Sequence, residues 1–407
     1  MTRSPTPTTA DGGLDILRVA TDLYPDILGG GALHAHELSR VQAEMGHDVT
    51  VLTSDHGDRN APRREVRDGY EIRRYRQLAR PLENSITPGM LPAMWRLARQ
   101  NDVIHAHSHL YFSTNLAAML SRGTETPLVV TNHGLHSQTA PMVVQKAYAP
   151  IARLTFNAAD RVLCYTTTDR DRLRDRGVSA PISVIHNGID CETFVPSAGD
   201  TERSEILFVG RLKETKGVRE LLEAFASIAT ERSESTLRFV GEGPLDAELR
   251  ERVAEYGLDS RVFFEGAVPN EELPSIYAES ALFALPSDME GFPRTVLEAM
   301  ACGTPVVTSD LPQLRSVVER VGETVPTGDV DALASSLRGL LDDASRRREL
   351  ARTAREYVVE HHSWRDTVEQ TTDVYRELVA DPAQTTSDSP ERTRELHGSE
   401  STDTVDD

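Results

Sequence analysis

The chain has 407 residues, long enough for two domains that each bury a core, and its 39% hydrophobic content fits a soluble α/β protein. No apolar run approaches the roughly 18 residues of a membrane span, no signal-peptide pattern precedes residue 15, and the three cysteines have neither disulfide nor zinc-ligand spacing. A formal charge of −20, with three lysines among 44 basic residues, argues against a nucleic-acid partner and is typical of proteins from a salt-rich cytoplasm.

The first segments predict an alternation of strands and helices. Residues 1–14 are rich in Thr, Pro and Gly, and we expect them to be a disordered tail. Residues 16–20 predict a buried strand that leads into the glycine run 29–31, a helix and a second strand over residues 49–53. This order implies a right-handed parallel crossover. The glycines would let backbone N–H groups approach a phosphate, although a tight structural turn would use the same residues.

A charged connection over residues 56–70 and an extended segment over residues 70–75 come next. Five of the arginines in or beside them are candidates for a common surface: Arg63, Arg64, Arg73, Arg74 and Arg76. If they formed a local basic patch, it would allow weak peripheral association with an anionic membrane. The plainer interpretation is a solvated arginine face. We therefore expect a cytoplasmic protein that works at the inner face of the membrane only if the patch forms.

Histidines follow two predicted strands. Residues 101–109 carry three of them two residues apart: His105, His107 and His109. They would share one face if the strand continued, and a metal site is then conceivable, but no acidic or cysteine ligand adjoins and we predict no metal. Residues 127–131 predict a buried strand that ends at His133, and ligands bind outside the carboxyl ends of such strands.

The second half of the chain opens with a strand, a glycine and basic residues. A linker is predicted at about 190–203, and residues 206–210 read as a buried strand. Arg211, Lys213 and Lys216 follow, so this short segment holds two of the three lysines of the chain. Arginine offers a planar set of donors to phosphate oxygens and lysine a mobile charge. We therefore favour phosphate binding by Arg211 and Lys216 over two surface ion pairs.

Residues 287–308 predict a ligand site at a helix start. Pro293 suits a helix N-terminus and Gly303 a helix end, which predicts a helix over residues 293–301. Glu290 then precedes the helix and Glu298 lies inside it, about 80° beyond two full turns, so they reach different parts of one ligand. The helix N-terminus favours an anion. Together these features fit a phosphorylated, polyhydroxylated ligand; two solvated acids are the alternative.

These motifs resemble family 4 retaining glycosyltransferases. Glu290 and Glu298 have the spacing of the family's Glu-x7-Glu signature, within EGFPRTVLEAMACGTPVV. The segments GGGALHAHEL, HG at His133 and GRLKETKG also match, and the resemblance covers about residues 16–380. It implies the B-type glycosyltransferase fold (GT-B), in which two Rossmann-like domains face a central cleft. The implied units are an acceptor domain, 15–190, and a donor domain, 204–360, with a helix at 363–380 crossing back to the first domain.

The resemblance also implies a chemistry: transfer of a hexose-type sugar from a nucleotide diphosphate sugar, with retention and without metal or cofactor. Arg211 and Lys216 would stabilise the leaving diphosphate, Glu298 would bind the ribose, and Glu290 the transferred sugar without acting as a nucleophile. His133 would lie on the other side of that sugar. The rest of the implied donor site is Gly30, Gly291, Phe292 and Val296.

Several alternatives stay open. The acceptor, expected near residues 30–36 and 105–140, could be a glycan, a lipid-linked glycan or a small molecule. Residues 309–315 lack the Gly-Gly-x-x-Glu loop of many relatives, which leaves the donor sugar undetermined. A sugar-nucleotide epimerase on the same fold, or a catalytically silent nucleotide-sugar-binding subunit, would share these motifs. Residues 381–407, with eight acids and two arginines, read as a disordered tail.

Overall fold

The computed structural model describes residues 12–134, 141–197 and 204–380, and within them the first half of the chain alternates strands and helices. The strands are β1 (Asp15–Val19), β2 (Asp48–Ser54), β3 (Arg64–Arg67), β4 (Tyr70–Tyr75), β5 (Val103–His107), β6 (Leu128–Thr131), β7 (Arg161–Cys164) and β8 (Ile182–Val184). The helices are α1 (Gly30–Glu44), α2 (Leu91–Ala98), α3 (Phe112–Ser121), α4 (Met142–Phe156) and α5 (Thr167–Asp175). These strands form one sheet in the order β3-β4-β2-β1-β5-β6-β7-β8, with the β3–β4 pair antiparallel.

The second half repeats the alternation around a second sheet. Its strands are β9 (Glu205–Val209), β10 (Thr236–Val240), β11 (Val262–Gly266), β12 (Leu282–Leu285), β13 (Val306–Ser309) and β14 (Glu323–Val325). Its helices are α6 (Val218–Glu231), α7 (Asp246–Glu255), α8 (Leu273–Glu279), α9 (Arg294–Ala301), α10 (Pro312–Val321), α11 (Val330–Asp342) and α12 (Ala344–His361). The strands are parallel, in the order β11-β10-β9-β12-β13-β14.

The sheet orders determine where a ligand can bind. The central strands are continuous apolar runs, such as the buried residues of β9 and β12, because helices cover both faces of a parallel sheet. In the second sheet β9 lies between β10 and β12, so the chain leaves β9 and β12 in opposite directions across the sheet. A crevice opens outside the carboxyl ends of two such strands. The segments after β9 and β12, which carry the predicted donor residues, both lie there.

The last described helix, α13 (Trp364–Ala380), packs against the first half of the chain. Its residues Val374, Tyr375 and Leu378 lie in a core cluster with residues of β1, β2 and β4, and Val368 packs with Leu38 of α1. A buried arginine completes this contact. Arg18 donates to Ser39 Oγ at 2.6 Å and to Gln42 Oε1 at 2.7 Å, and lies 3.4 Å from the hydroxyl of Tyr375.

Most predicted elements are present, with local differences. Helix α9 begins one residue later than predicted, because Pro293 has an extended ψ of 118° and occupies the N-cap position. Strand β3 lies inside the segment that the sequence predicts as a connection, residues 56–70. Leu14, assigned to the tail, is buried. Residues 1–11, 198–203 of the linker, 135–140 of the acceptor region and the predicted tail 381–407 lie outside the described residues.

Candidate active site

Glu290 lies in the turn between β12 and α9, where three groups hold it. Lys216 Nζ is 2.6 Å from its Oε1, Ser287 Oγ donates to the same oxygen at 2.6 Å, and Gln313 Nε2 donates to its backbone carbonyl at 2.7 Å. The side chains of Lys216 and Glu290 are 13% and 4% exposed. The ion pair therefore links the segment after β9 to the segment after β12 at the bottom of the crevice.

Glu298 lies on the first turns of α9 and is buried. The Tyr277 hydroxyl donates to its Oε2 at 2.9 Å, and Arg294 Nε is 3.5 Å from its Oε1. Glu290 precedes the helix and Glu298 lies within it, and the two carboxylates have separate partners in the structure. The Val296 N–H donates to the Pro293 carbonyl oxygen at 3.3 Å, and the Phe292 ring stacks on His362 at 5.7 Å between centroids.

Three cations crowd the segment after β9. Burial, with the neighbouring Lys216 and Arg211, lowers the pKa of Lys213 to about 8. Gly217 ends this segment with φ +65°, and a Cβ there would lie 2.0 Å from the Pro286 carbonyl oxygen, so only glycine lets the segment approach β12 so closely. Like charges held together in this way favour an anionic ligand, which would relieve their repulsion.

His133 follows β6 in the first half of the chain. Its Nδ1 is hydrogen-bonded to the Tyr165 hydroxyl at 2.7 Å and its Nε2 to His107 Nδ1 at 2.9 Å. Burial lowers the pKa of His133 to about 4, so the ring is neutral at pH 7. Both ring nitrogens are thus occupied by protein groups. The His34 ring, on the helix that follows the glycine run, packs edge-on at 5.0 Å between centroids.

The two halves of the chain meet at this histidine. A Cβ on Gly291 would lie 3.0 Å from the His133 backbone oxygen, so the turn before α9 touches the end of β6. A Cβ on Gly31 would lie 4.0 Å from the His133 ring, whereas Gly30 has no such neighbour within 4 Å. Arg211 reaches across to Glu83, with its Nη1 3.3 Å from Oε2. The two halves of the chain are therefore in contact at His133 and Gly291 and again at Arg211 and Glu83.

The three histidines of residues 101–109 do not come together as a metal triad. His105 and His107 lie side by side, with ring centroids 4.3 Å apart, but Ser108 has φ +62° and turns the chain, so His109 packs on Phe156 instead. Over the described residues, no group of three or more His, Cys, Asp and Glu side chains is arranged to hold a metal ion.

Three of the five arginines that could form a basic patch are paired with acids in the structure. Arg64 and Arg73 both pair with Glu71, and the buried Arg74 pairs with Asp26 and Glu65. Acidic neighbours thus offset their charge. In the described part of the chain, no helix is both long and apolar enough to cross a membrane.

Several residues at the site were not given their present role from the sequence, although His107 and Lys213 were named there. Ser287, Tyr277 and Gln313 orient the two glutamates, and Tyr165 and His107 hold His133. The sequence pointed to Lys213 by its rarity, because it is one of only three lysines in the chain. The others are common polar residues whose positions depend on which strand ends are adjacent in the sheets.

Known proteins share this architecture. Two family descriptions match the chain, Glycosyltransferase Family 4 over residues 28–193 and Glycosyl transferases group 1 over residues 192–357. The D-inositol 3-phosphate glycosyltransferase of Kineococcus radiotolerans is 30% identical over 405 residues, which cover 87% of this chain and 92% of that protein.

Solved structures agree with the family match. Sucrose-phosphate synthase from Thermosynechococcus elongatus has a TM-score of 0.77 and 26% identity, covering 90% of this chain and 99% of that one. Anabaena HepE in complex with UDP-glucose has a TM-score of 0.74 and 20% identity, covering 90% and 100%. The chain therefore belongs to the group 1, family 4 glycosyltransferases and is a retaining hexosyltransferase of the GT-B fold that uses a nucleotide sugar.

Proposed function

We propose that the cleft around Glu290 binds the nucleotide diphosphate sugar and transfers its hexose without a metal. The observation that carries this proposal is the Lys216–Glu290 ion pair, which lies where the segments after β9 and β12 meet, opposite His133. A cation and a carboxylate at one strand-end crevice suit a ligand with a diphosphate beside sugar hydroxyls. On donor binding, Lys216 turns to the phosphate and Glu290 to the sugar.

The cations after β9 supply the catalytic electrostatics. Charge develops on the leaving diphosphate, and fixed positive groups aimed at it are the usual large contribution to such a reaction. Arg211 and Lys216 fill this role, and the charge of the nearby Lys213 adds to theirs. Glu298 binds the ribose hydroxyls from within α9. Three cations are enough positive charge to take the place of a divalent ion at the diphosphate.

His133 shapes the pocket of the transferred sugar. Because both of its ring nitrogens are hydrogen-bonded, the ring stays fixed and its backbone carbonyl faces Gly291 from the opposite half. Gly291 and Gly30 complete the donor pocket through their backbone, and Phe292 and Val296 support the start of α9.

The acceptor lies on the first half of the chain, near residues 30–36 and 105–134, and is a glycan, a lipid-linked glycan or a small molecule. HepE, which shares the fold, has been crystallised with UDP-glucose, so UDP-glucose is the first donor to test. The cytoplasmic placement expected from the sequence stays a prediction. The pairing of the arginine segment with acids gives no support to its attachment at the inner membrane face.

Calorimetric titration with UDP-, GDP- and ADP-sugars, in EDTA and molar potassium chloride, tests the donor site. We expect one nucleotide sugar to bind, and the Arg211→Ala/Glu298→Ala variant to lose this binding. The matched control is Arg352→Ala/Glu356→Ala, which removes an exposed ion pair on α12. Folded protein that binds none of the panel would contradict the proposal.

Product analysis then separates the enzyme classes. A transferase releases a nucleoside diphosphate only when acceptor or water takes the sugar, whereas an epimerase converts the nucleotide sugar without any acceptor. A silent subunit binds the donor and changes nothing.

A further inference from the structure

The surface around α4 differs in charge from the rest of the chain. Between Asp102 and Asp160 the only acidic residue is Glu125, although the whole chain has 64 acids in 407 residues. Helix α4 itself has no acid and carries Lys146 and Arg153. This part of an acidic protein therefore lacks the negative cover that keeps the remainder away from anionic surfaces.

Helix α4 also exposes an apolar face. Val143 is 78% exposed and Leu154 57%, and Val144, Ala147 and Ile151 are exposed beside them. At 3.6 residues per turn these five side chains lie within an arc of about 100°, with Lys146 and Arg153 on one flank of it. Exposed apolar side chains that share one helix face usually mark an interaction site.

The opposite face of α4 is anchored, so the apolar face cannot turn inward. Tyr148 is hydrogen-bonded to Asn115 of α3, and its hydroxyl donates to the His109 carbonyl at 3.5 Å. Thr155 Oγ1 donates to Asn115 Oδ1 at 2.5 Å, and Phe156 is buried in the core of the first sheet. Met119 of α3, the helix that packs on α4, is exposed as well.

We propose that the apolar face of α4 docks on an anionic lipid bilayer. Helices that lie in a membrane interface combine an apolar face with flanking Lys and Arg, whose charges attract anionic headgroups. Lys146 and Arg153 lie where their side chains can reach headgroups while Ile151 and Leu154 enter the acyl boundary. The docked helix lies on the bilayer and does not cross it. This inference is independent of the donor and acceptor proposed above.

Vesicle flotation of the full chain tests the proposal. We use phosphatidylcholine vesicles with and without roughly 30 mol% phosphatidylglycerol, because the anionic lipid supplies the surface charge. We expect the protein to float with anionic vesicles and less with neutral ones. The Ile151→Glu/Leu154→Glu variant should lose about tenfold in partitioning, since both side chains leave the acyl boundary.

The control variant is Val359→Glu/Val379→Glu, which adds the same charge at two exposed helical valines away from α4. It should float like the original chain. A second variant, Lys146→Gln/Arg153→Gln, should lose the preference for anionic vesicles and keep the weaker binding to neutral ones. Melting temperatures within about a degree of the original show that each variant is folded.

Three results would overturn the inference. The first is that the original chain does not float with anionic vesicles. The second is that the control variant loses flotation as fully as the α4 variant, because the effect is then one of net charge. The third is that vesicles bind no protein while sedimentation equilibrium shows a dimer that only the α4 variant dissociates. The last result would assign the apolar face to a second copy of the chain.

Discussion

Replacing Lys216 by methionine keeps the apolar stem and removes the ammonium group that pairs with Glu290. The carboxylate then keeps only Ser287 as a side-chain partner. Removing one partner of a buried ion pair costs 3–5 kcal/mol in general, and because Lys216 retains 13% exposure we take the lower end, about 3 kcal/mol. For a domain of this size, about 2–4 °C per kcal/mol converts this to a fall of about 6–12 °C in melting temperature.

Differential scanning calorimetry measures the fall, and a second variant isolates its cause. Lys216→Met/Glu290→Gln removes both charges, so no unpaired carboxylate is left, and more than half of the lost stability should return. Arg365→Met, which breaks an exposed pair with Glu369, should leave the melting temperature unchanged. If Lys216→Met melts like the original chain, or the double variant melts as low as the single one, the buried pair does not stabilise this crevice.

Three further predictions follow from the site and its surroundings. The pKa of Lys213 is lowered to about 8, and a bound diphosphate favours the protonated amine, so donor affinity should weaken as pH rises through 8. Binding should then take up protons, which calorimetry in two buffers detects, and the Lys213→Met variant should lose this proton uptake. The pKa values of His133 and His362 are about 4 in the folded chain and 6.5 for the free side chain, so the unfolded chain binds more protons between pH 4 and 6.5. The free energy of unfolding should therefore fall as pH drops below 6.5, by about 2 kcal/mol per histidine at pH 5. Chemical denaturation that gives the same free energy at both pH values would contradict this. Gly217→Ala should lower the melting temperature at least twice as much as Gly328→Ala, since both glycines have positive φ but only Gly217 lacks space for a Cβ.

The sequence predicts the strands well where they are buried on both faces. The segment of β9 is a short apolar run that ends at a glycine, and such a run has few other stable conformations in a domain of this size. Strand β3 is different. Its residues, REVR, are charged and read locally as a connection; it is a strand because β4 offers an antiparallel partner and Arg64 pairs with Glu71. Only the tertiary structure supplies that partner.

The site shows the same division. The motifs predict Glu290, Glu298, Arg211 and Lys216 as site residues, and the structure brings the segments that carry them to adjacent strand ends. Their orienting partners could not be identified. Tyr277 meets Glu298 because α8 and α9 pack together, a contact between residues 21 apart that no local pattern announces.

The engagement of both His133 ring nitrogens also lay beyond the sequence. It depends on the register of β5 with β6. His107 lies opposite Thr131, the last residue of β6, and its side chain reaches His133, two residues further along the chain. Sequence motifs predict the candidate site residues, whereas the register between strands decides which of their atoms are hydrogen-bonded within the protein.

The packing of α13 separates the order of synthesis from the order of folding. Arg18 is made among the first residues, yet its buried guanidinium reaches Tyr375, which the ribosome adds some 350 residues later. Domains generally fold as units during synthesis, starting from the N-terminus. Here the first sheet lacks Val374, Tyr375 and Leu378 from its core until the second half has been made. The part of the chain that leaves the ribosome first is therefore the last to be completed.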